Sequence, residues 1–256
     1  MYCENKLKKK LQAGEKTTGC WLFSNSTDMA EIIAGSGFDA VMIDHEHGAG
    51  DLRSAIELHR AAASVSDITV LMRVPWNDNV MIKRALDTGV EGLMVPSVNT
   101  AEEAKAVVQA CRYPPGGIRG SGLGVARAGG YGRHAADYKK NIDKEMLIIC
   151  QIETKEAVGN IESIAAVEGV DMLFIGPNDL SGSINKLGEF DDPEVKALFA
   201  EARDKIKASP AFLGCISKGA EATNALFADG FDFLICAGDT GLMLTAANDL
   251  LGRVKK

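Results

Sequence analysis

Phe38-Asp-Ala-Val-Met-Ile-Asp44, Asp51-Leu-Arg-Ser-Ala-Ile-Glu-Leu-His-Arg-Ala-Ala-Ala63 and Ile68-Thr-Val-Leu-Met-Arg-Val74 follow one another in the chain. The first and third are short apolar runs with little polar alternation, as in strands buried on both faces of a parallel sheet. The middle segment carries Leu52, Ala55, Ile56 and Leu58 at helical spacing and opens on an aspartate, a good N-cap residue. Strand, returning helix and strand make a parallel crossover unit.

Reading outward, the unit repeats. Apolar runs recur at Gly19–Ser24, Phe38–Asp44, Ile68–Val74, Gly92–Val98, Met146–Ile152, Val170–Ile175, Phe212–Ser217 and Phe231–Ala237. Helical segments alternate with them: Asp28–Gly35 behind a Thr27 cap, Asp51–Ala63, Val80–Thr88, Ala101–Cys111, Lys155–Val167, Pro193–Ala208, Ala220–Ala228 and Leu242–Val254. Eight of each in 256 residues predict an α/β fold, a (β/α)8 TIM barrel spanning 1–256 as a single domain. A doubly wound sheet is the rival, but Ser24-Asn-Ser-Thr-Asp after the first strand lacks the glycines of a dinucleotide fingerprint. The glycine-rich stretch 113–144 reads as a long loop on the active face, a lid or a subunit contact.

Composition limits the function. Twenty-eight basic against 35 acidic residues leave a net charge of −7, which argues against a general nucleic-acid binder. No apolar run approaches the ~20 residues of a membrane span, so no membrane partner is expected. The basic cluster Lys6-Leu-Lys-Lys-Lys10 has no apolar stretch behind it and does not read as a secretory signal. The six cysteines, Cys3, Cys20, Cys111, Cys150, Cys215 and Cys236, form no C-x-x-C pair, and a reducing cytoplasm is the expected location.

A barrel places its chemistry where strands end. The second strand ends Asp44-His-Glu-His47, the third at Arg73, the fifth Gln151-Ile-Glu153 and the sixth Gly176-Pro-Asn178-Asp179. Glu153 and Asp179 end successive strands, and two neighbouring carboxylates suit a hard divalent cation such as Mg²⁺ or Mn²⁺; two helix-capping acids are the plain alternative. Arg73 offers a permanent charge to carboxylate or enolate oxygens, or else forms a rim ion pair. His45 and His47 share a face if the strand stays extended; acid/base use is favoured over zinc, with a structural role open for His45.

These motifs resemble the HpcH/HpaI aldolase/citrate lyase family. The resemblance rests on Asp44-His-Glu-His-Gly, Arg73-Val-Pro-Trp-Asn-Asp, Ile82-Lys-Arg-Ala-Leu-Asp-Thr-Gly, Tyr113-Pro-Pro-Gly-Gly-Ile-Arg-Gly, Gln151-Ile-Glu-Thr, Val167-Glu-Gly-Val-Asp and Gly176-Pro-Asn-Asp-Leu-Ser, in that order from about Gly19 to the C-terminus. It is strongest toward the 4-hydroxy-2-oxoheptanedioate and 2-dehydro-3-deoxyglucarate aldolases. It implies a phosphoenolpyruvate/pyruvate-type barrel that cleaves a 4-hydroxy-2-oxo acid to pyruvate and an aldehyde through a metal-stabilised enolate. It further implies Glu153 and Asp179 as metal ligands, for Mg²⁺, Mn²⁺ or Co²⁺, and Gln151, Asn178 and Asp179 in substrate binding. Arg73 would stabilise the enolate, and His47 would act as acid/base with its basicity raised by Asp87. Spacing places Asp87 near the far end of its helix, so a neighbouring subunit would have to supply it. The resemblance also implies a homo-oligomer, a hexamer or trimer of dimers, with the 242–256 helix packed on a partner.

The sequence departs from the family pattern near the aldehyde side. His45 stands where glycine is usual, Asn178 replaces a common alanine, Ser97 a common methionine, and Gly48-Ala-Gly-Asp lacks a proline. Trp21 is expected to line the pocket and Phe174 to pack in the core. Three other readings remain at this point. An acyl-CoA lyase would use Arg112, Arg119, Arg127 and Arg133 as a basic groove; the others are an oxaloacetate decarboxylase and a non-catalytic α-keto-acid-binding barrel.

Overall fold

The computed structural model describes residues 4–254, so Cys3 and the last two residues of the 242–256 segment lie outside it. Eight strands close in chain order into a barrel: β1 (Thr17–Leu22), β2 (Ala40–Asp44), β3 (Thr69–Arg73), β4 (Gly92–Val95), β5 (Leu147–Ile152), β6 (Met172–Ile175), β7 (Phe212–Ile216) and β8 (Phe233–Gly238). Each pairs in parallel with the next, and β8 returns to β1. The fold is the expected (β/α)8 barrel, with all eight strands where the apolar runs place them.

The period of two along each strand divides the core. Ala40, Met42, Leu71, Ile149, Phe174 and Phe233 fill the barrel's interior, while Val41, Ile43, Val70, Cys150 and Ile175 face the helices. Both faces of every strand are therefore apolar, which is why the runs show so little polar alternation. Phe174 is a core residue, as expected.

The helices are α1 (Lys6–Gln12), α2 (Thr27–Ala34), α3 (Leu52–Val65), α4 (Asn79–Asp87), α5 (Ala101–Cys111), α6 (Ala135–Glu145), α7 (Lys155–Gly159), α8 (Ile161–Ala165), α9 (Pro177–Gly182), α10 (Pro193–Lys207), α11 (Gly219–Ala228) and α12 (Asp239–Arg253). α1 plugs the floor of the barrel. Leu7 and Leu11, one turn apart, join the interior cluster, and Lys8 donates to the Met146 carbonyl (2.7 Å) and pairs with Asp171 (2.8 Å). Two details differ from expectation. Ser26 rather than Thr27 caps α2, and the single helix expected over 155–167 breaks at Asn160, whose amide donates to the Asn99 carbonyl (2.8 Å).

The stretch 113–144 corrects the expectation of an active-face loop. It follows α5 rather than a strand, so it leaves from the pole opposite the strand ends. It packs against the lower end of α4, where Arg127 donates to the Thr88 carbonyl (2.9 Å) and Arg119 to Asp87 (3.0 Å). Nor is it structureless: it holds a short 3₁₀ turn and most of α6. The buried stripe of α6 is only Tyr138 and Ile142 amid charged residues, too sparse to read as an amphipathic period.

The five described cysteines are free, and four of them are buried. Burial pushes the Cys20, Cys111 and Cys215 thiols up to about 12, so they act as small hydrophobes. Among the described residues no helix is long and apolar enough to cross a membrane.

Candidate active site

Register places Asp44, the last residue of β2, beside Arg73, the last of β3. The Arg73 guanidinium donates from Nε (2.8 Å) and Nη2 (2.7 Å) to the two Asp44 oxygens, and its Nη1 lies 2.8 Å from Glu46 Oε2. The Trp21 ring stacks 4.3 Å from the guanidinium carbon. Arg73 is thus both the ion pair and the strand-end cation left as alternatives by its sequence. A planar cation gripped by a fork and a ring keeps one orientation without reorganising.

Asp44 also shapes the turn that follows. Its carboxylate accepts from the Glu46 N–H (3.1 Å) and the His47 N–H (3.3 Å). The bend brings the chain so close that a Cβ at Gly48 would sit 2.2 Å from the Asp44 carbonyl oxygen. The strand stops at Asp44, so the extended backbone that would put the two histidines on one face is not met. His45 turns toward Met72 and Val74, with Nε2 buried and unpartnered, and burial lowers its pKa. His47 is two-thirds exposed (66%), its Nε2 3.8 Å from Glu46 Oε2. This is the geometry of a group free to exchange protons with a bound molecule.

Across the barrel mouth, Glu153 follows β5 and is 3% exposed. Its Oε2 accepts from the Ser97 N–H (2.9 Å), and its Oε1 from Gln151 Nε2 (2.5 Å). Ser97 reaches it from a left-handed backbone, φ +52°. Close packing extends to Gly176, where a Cβ would lie 2.6 Å from Glu153 Oε1. Burial pushes the Glu153 carboxyl up to about 7; the Ser97 N–H opposes the shift, and the Glu46 and Asp179 carboxylates add to it. Burial likewise raises Glu46, with Arg73 opposing. Asp179 stands in the first turn of α9 beside Asn178, both exposed.

This donor set fits a hard divalent cation. Buried Glu153 gains from a nearby positive charge, Asp179 lies within its electrostatic reach, and the Gln151 Oε1 atom is buried without a partner. No three of the described His, Cys, Asp and Glu residues are grouped as a metal cage. Two carboxylate ligands would leave the other positions to water or substrate oxygens, the pattern of Mg²⁺ sites.

Asp87 does not join the cluster in its own barrel. It ends α4 at the opposite pole, where its Oδ1 accepts from Arg119 Nη2 (3.0 Å). Arg119 is fully buried, with Tyr113 and Tyr138 rings 4.6 and 5.6 Å from its guanidinium carbon. Three of the four arginines that a CoA groove would use are engaged elsewhere, while Arg133 is exposed. Arg119 is inside this ion pair, Arg112 lies 4.0 Å from Glu168, and Arg127 is bonded to the Thr88 carbonyl.

Three contributors were not assigned roles by sequence reasoning: Asp44, Glu46 and Ser97. Asp44 and Glu46 carried a signal, two acids spaced by one residue at the end of an apolar run. Ser97 stood out only as a departure from the family pattern, and it reaches Glu153 through its main-chain N–H (2.9 Å) and, more weakly, its hydroxyl (3.4 Å).

Comparison with known proteins agrees with this geometry. The model of the HpcH/HpaI aldolase/citrate lyase family matches residues 17–246. A 4-hydroxy-2-oxo-heptane-1,7-dioate aldolase of Shigella boydii is 39% identical over 98% of this chain and 95% of its own. A 4-hydroxy-2-oxovalerate aldolase of Rhodococcus jostii is 38% identical over 97% and 95%. The crystal structure of a family protein from Burkholderia cenocepacia superposes with a TM-score of 0.94 at 32% identity, covering 98% of this chain and all of the other. With Arg73, Glu153 and Asp179 at the strand ends of a closed barrel, the chain belongs to the HpcH/HpaI aldolase/citrate lyase family.

Proposed function

We propose that this protein is a class II, metal-dependent aldolase that splits a 4-hydroxy-2-oxo acid into pyruvate and an aldehyde, and runs the reverse addition. The observation that carries the reading is buried Glu153, tethered by Ser97 and Gln151 and facing Glu46, Asp179 and Arg73. Mg²⁺, Mn²⁺ or Co²⁺ held by Glu153 and Asp179 would supply Lewis acidity toward the 2-oxo acid.

The remaining work falls to the chain. Gln151 and the backbone around Asn178 orient the pyruvyl half. Arg73, locked by Asp44 and Trp21, places a fixed positive donor where the enolate oxygen gains charge. His47 takes the proton of the C4 hydroxyl, directly or through water, as C3–C4 breaks, and returns it in the addition. Asp87, remote from the His47 of its own barrel, would serve that histidine from a neighbouring copy. The exposed Leu242, Met243, Leu244, Leu250 and Leu251 of α12 support self-association, as a hexamer or trimer of dimers. The free, buried cysteines suit a reducing cytoplasm.

The test is pyruvate in D₂O with Mn²⁺ or Mg²⁺, followed by loss of the methyl proton signal. EDTA-sensitive exchange in the unaltered protein, abolished in Glu153→Ala, is the expected result. No exchange by folded, metal-supplied protein would refute the reading, and exchange undiminished in Glu153→Ala would refute the metal assignment.

A further inference from the structure

Ser97, whose N–H holds the Glu153 carboxylate (2.9 Å), stands at φ +52°. A residue with a Cβ keeps that left-handed conformation only where its surroundings impose it. The angle φ sets the Ser97 carbonyl relative to its own N–H, so holding both ends of the residue holds the conformation. Glu153 takes the N–H end. The carbonyl end accepts from Asn99 Nδ2 (3.2 Å).

Asn99 is itself held at every polar group. Its Oδ1 accepts from the hydroxyl of Thr154, the residue after Glu153. Its N–H donates to Glu103 (2.6 Å), which forms the capping box of α5 with Thr100. Its carbonyl accepts from Asn160 Nδ2 (2.8 Å). The side chain thus ties the loop after β4 to the turn after β5, joining the residue that holds Glu153 to the residue that follows Glu153. A carboxamide suits the task, since one planar group carries both the donor for Ser97 and the acceptor for Thr154.

We infer that Asn99 is a positioning residue for the metal ligand Glu153: by fixing Ser97 it fixes the direction of the carboxylate and so sets the affinity for the divalent cation. The inference rests on the aldolase reading above, and within it on Glu153 as a ligand. Removing a group that orients a ligand costs about 10–100-fold in metal affinity. Asn99 acts one bond further out, so the lower end applies, about tenfold. It has no part in the proton transfers, and its loss falls on the metal requirement rather than on the rate once metal is saturating.

The test is the Kd of chelator-treated protein for Mn²⁺, read from the electron paramagnetic resonance signal of the free ion, with pyruvate methyl exchange measured in parallel. Asn99→Ala should raise that Kd about tenfold and shift exchange to higher Mn²⁺, with the rate at saturating metal within about a factor of three of the parent. Thr154→Val keeps the shape without the hydroxyl and should raise the Kd about threefold, while Thr154→Ser should keep the parent value; this pair decides the matter if Asn99→Ala does not fold. Asn160→Ala breaks a bond of the same cluster but leaves the Asn99 side chain alone, so the Kd should stay within about a factor of two, whatever the change in Tm. An unchanged Kd in Asn99→Ala, or an equal rise in Asn160→Ala, would overturn the role of Asn99 alone. An unaltered protein that binds Mn²⁺ but exchanges no pyruvate would overturn the aldolase reading, with the Kd series still deciding for Asn99. One that binds no Mn²⁺ would overturn the metal assignment and this inference with it.

Discussion

Replacing Asp44 by Ala tests whether the buried fork between β2 and β3 organises the site. The carboxylate is 1% exposed and accepts from Arg73 Nε and Nη2 and from the Glu46 and His47 N–H groups. Breaking a buried ion pair from one side costs about 3–5 kcal/mol, because the other charge is stranded. Arg73 keeps Glu46 at 2.8 Å, so the lower end applies, about 3 kcal/mol. For a domain of this size that is a fall of about 6–12 °C in Tm. Asp44→Asn keeps an acceptor and should cost less. Arg73 then loses its fixed direction and His47 its turn, and pyruvate exchange should fall about 10²–10³-fold. Adding Arg73→Met removes the stranded charge, so the double variant should lose less stability than the sum of the singles. Urea denaturation and methyl exchange measure both quantities. An Asp44→Ala protein within about 1 kcal/mol of the parent and with undiminished exchange would refute the reasoning.

Glu91 predicts a pH dependence away from the site. Burial raises its carboxyl to about 7 despite a hydrogen bond from the Val70 N–H (2.6 Å). The stabilisation from its bound proton is complete below pH 4.5 and is lost as pH rises through about 7, at most about 3 kcal/mol. Glu91→Gln should therefore gain stability relative to the parent between pH 5 and 8, and a constant difference across that range in Tm would contradict this. Asp239 joins the ends of β8 and β1 by accepting from the Phe23 and Ser24 N–H groups (3.0 Å each) and the Ser24 hydroxyl (2.5 Å). Asp239→Ala should cost about 2–4 kcal/mol in urea unfolding, and a loss under about 1 kcal/mol would deny the clasp any weight. Charging α12 with Leu250→Asp and Leu251→Asp should dissociate an oligomer and, through loss of the neighbour's Asp87, slow turnover; sedimentation of a fully active monomer would remove both claims.

The barrel was legible in the order of residues alone. Burial on both strand faces leaves unbroken apolar runs, and helices between them carry their own caps, so local patterning suffices. It also exposed the strand-end residues Arg73, Gln151, Glu153 and Asp179, because ionisable groups stand out after apolar runs. The helix α1 was obscured by its lysines: the two leucines that plug the floor have meaning only against a closed barrel. Ser97 gave no cue to this role, since its shorter contact with Glu153 is a backbone N–H, the same in every residue. The different fates of His45 and His47, and the withdrawal of Asp87 to the far pole with Arg119, were settled only by tertiary structure. Where a side chain points after a strand ends depends on a bend that Asp44 sets through space, and which charge meets which depends on strands and helices distant in sequence. Local pattern fixes which segments are strands and helices; the partners of a polar atom are chosen only when the chain closes around it.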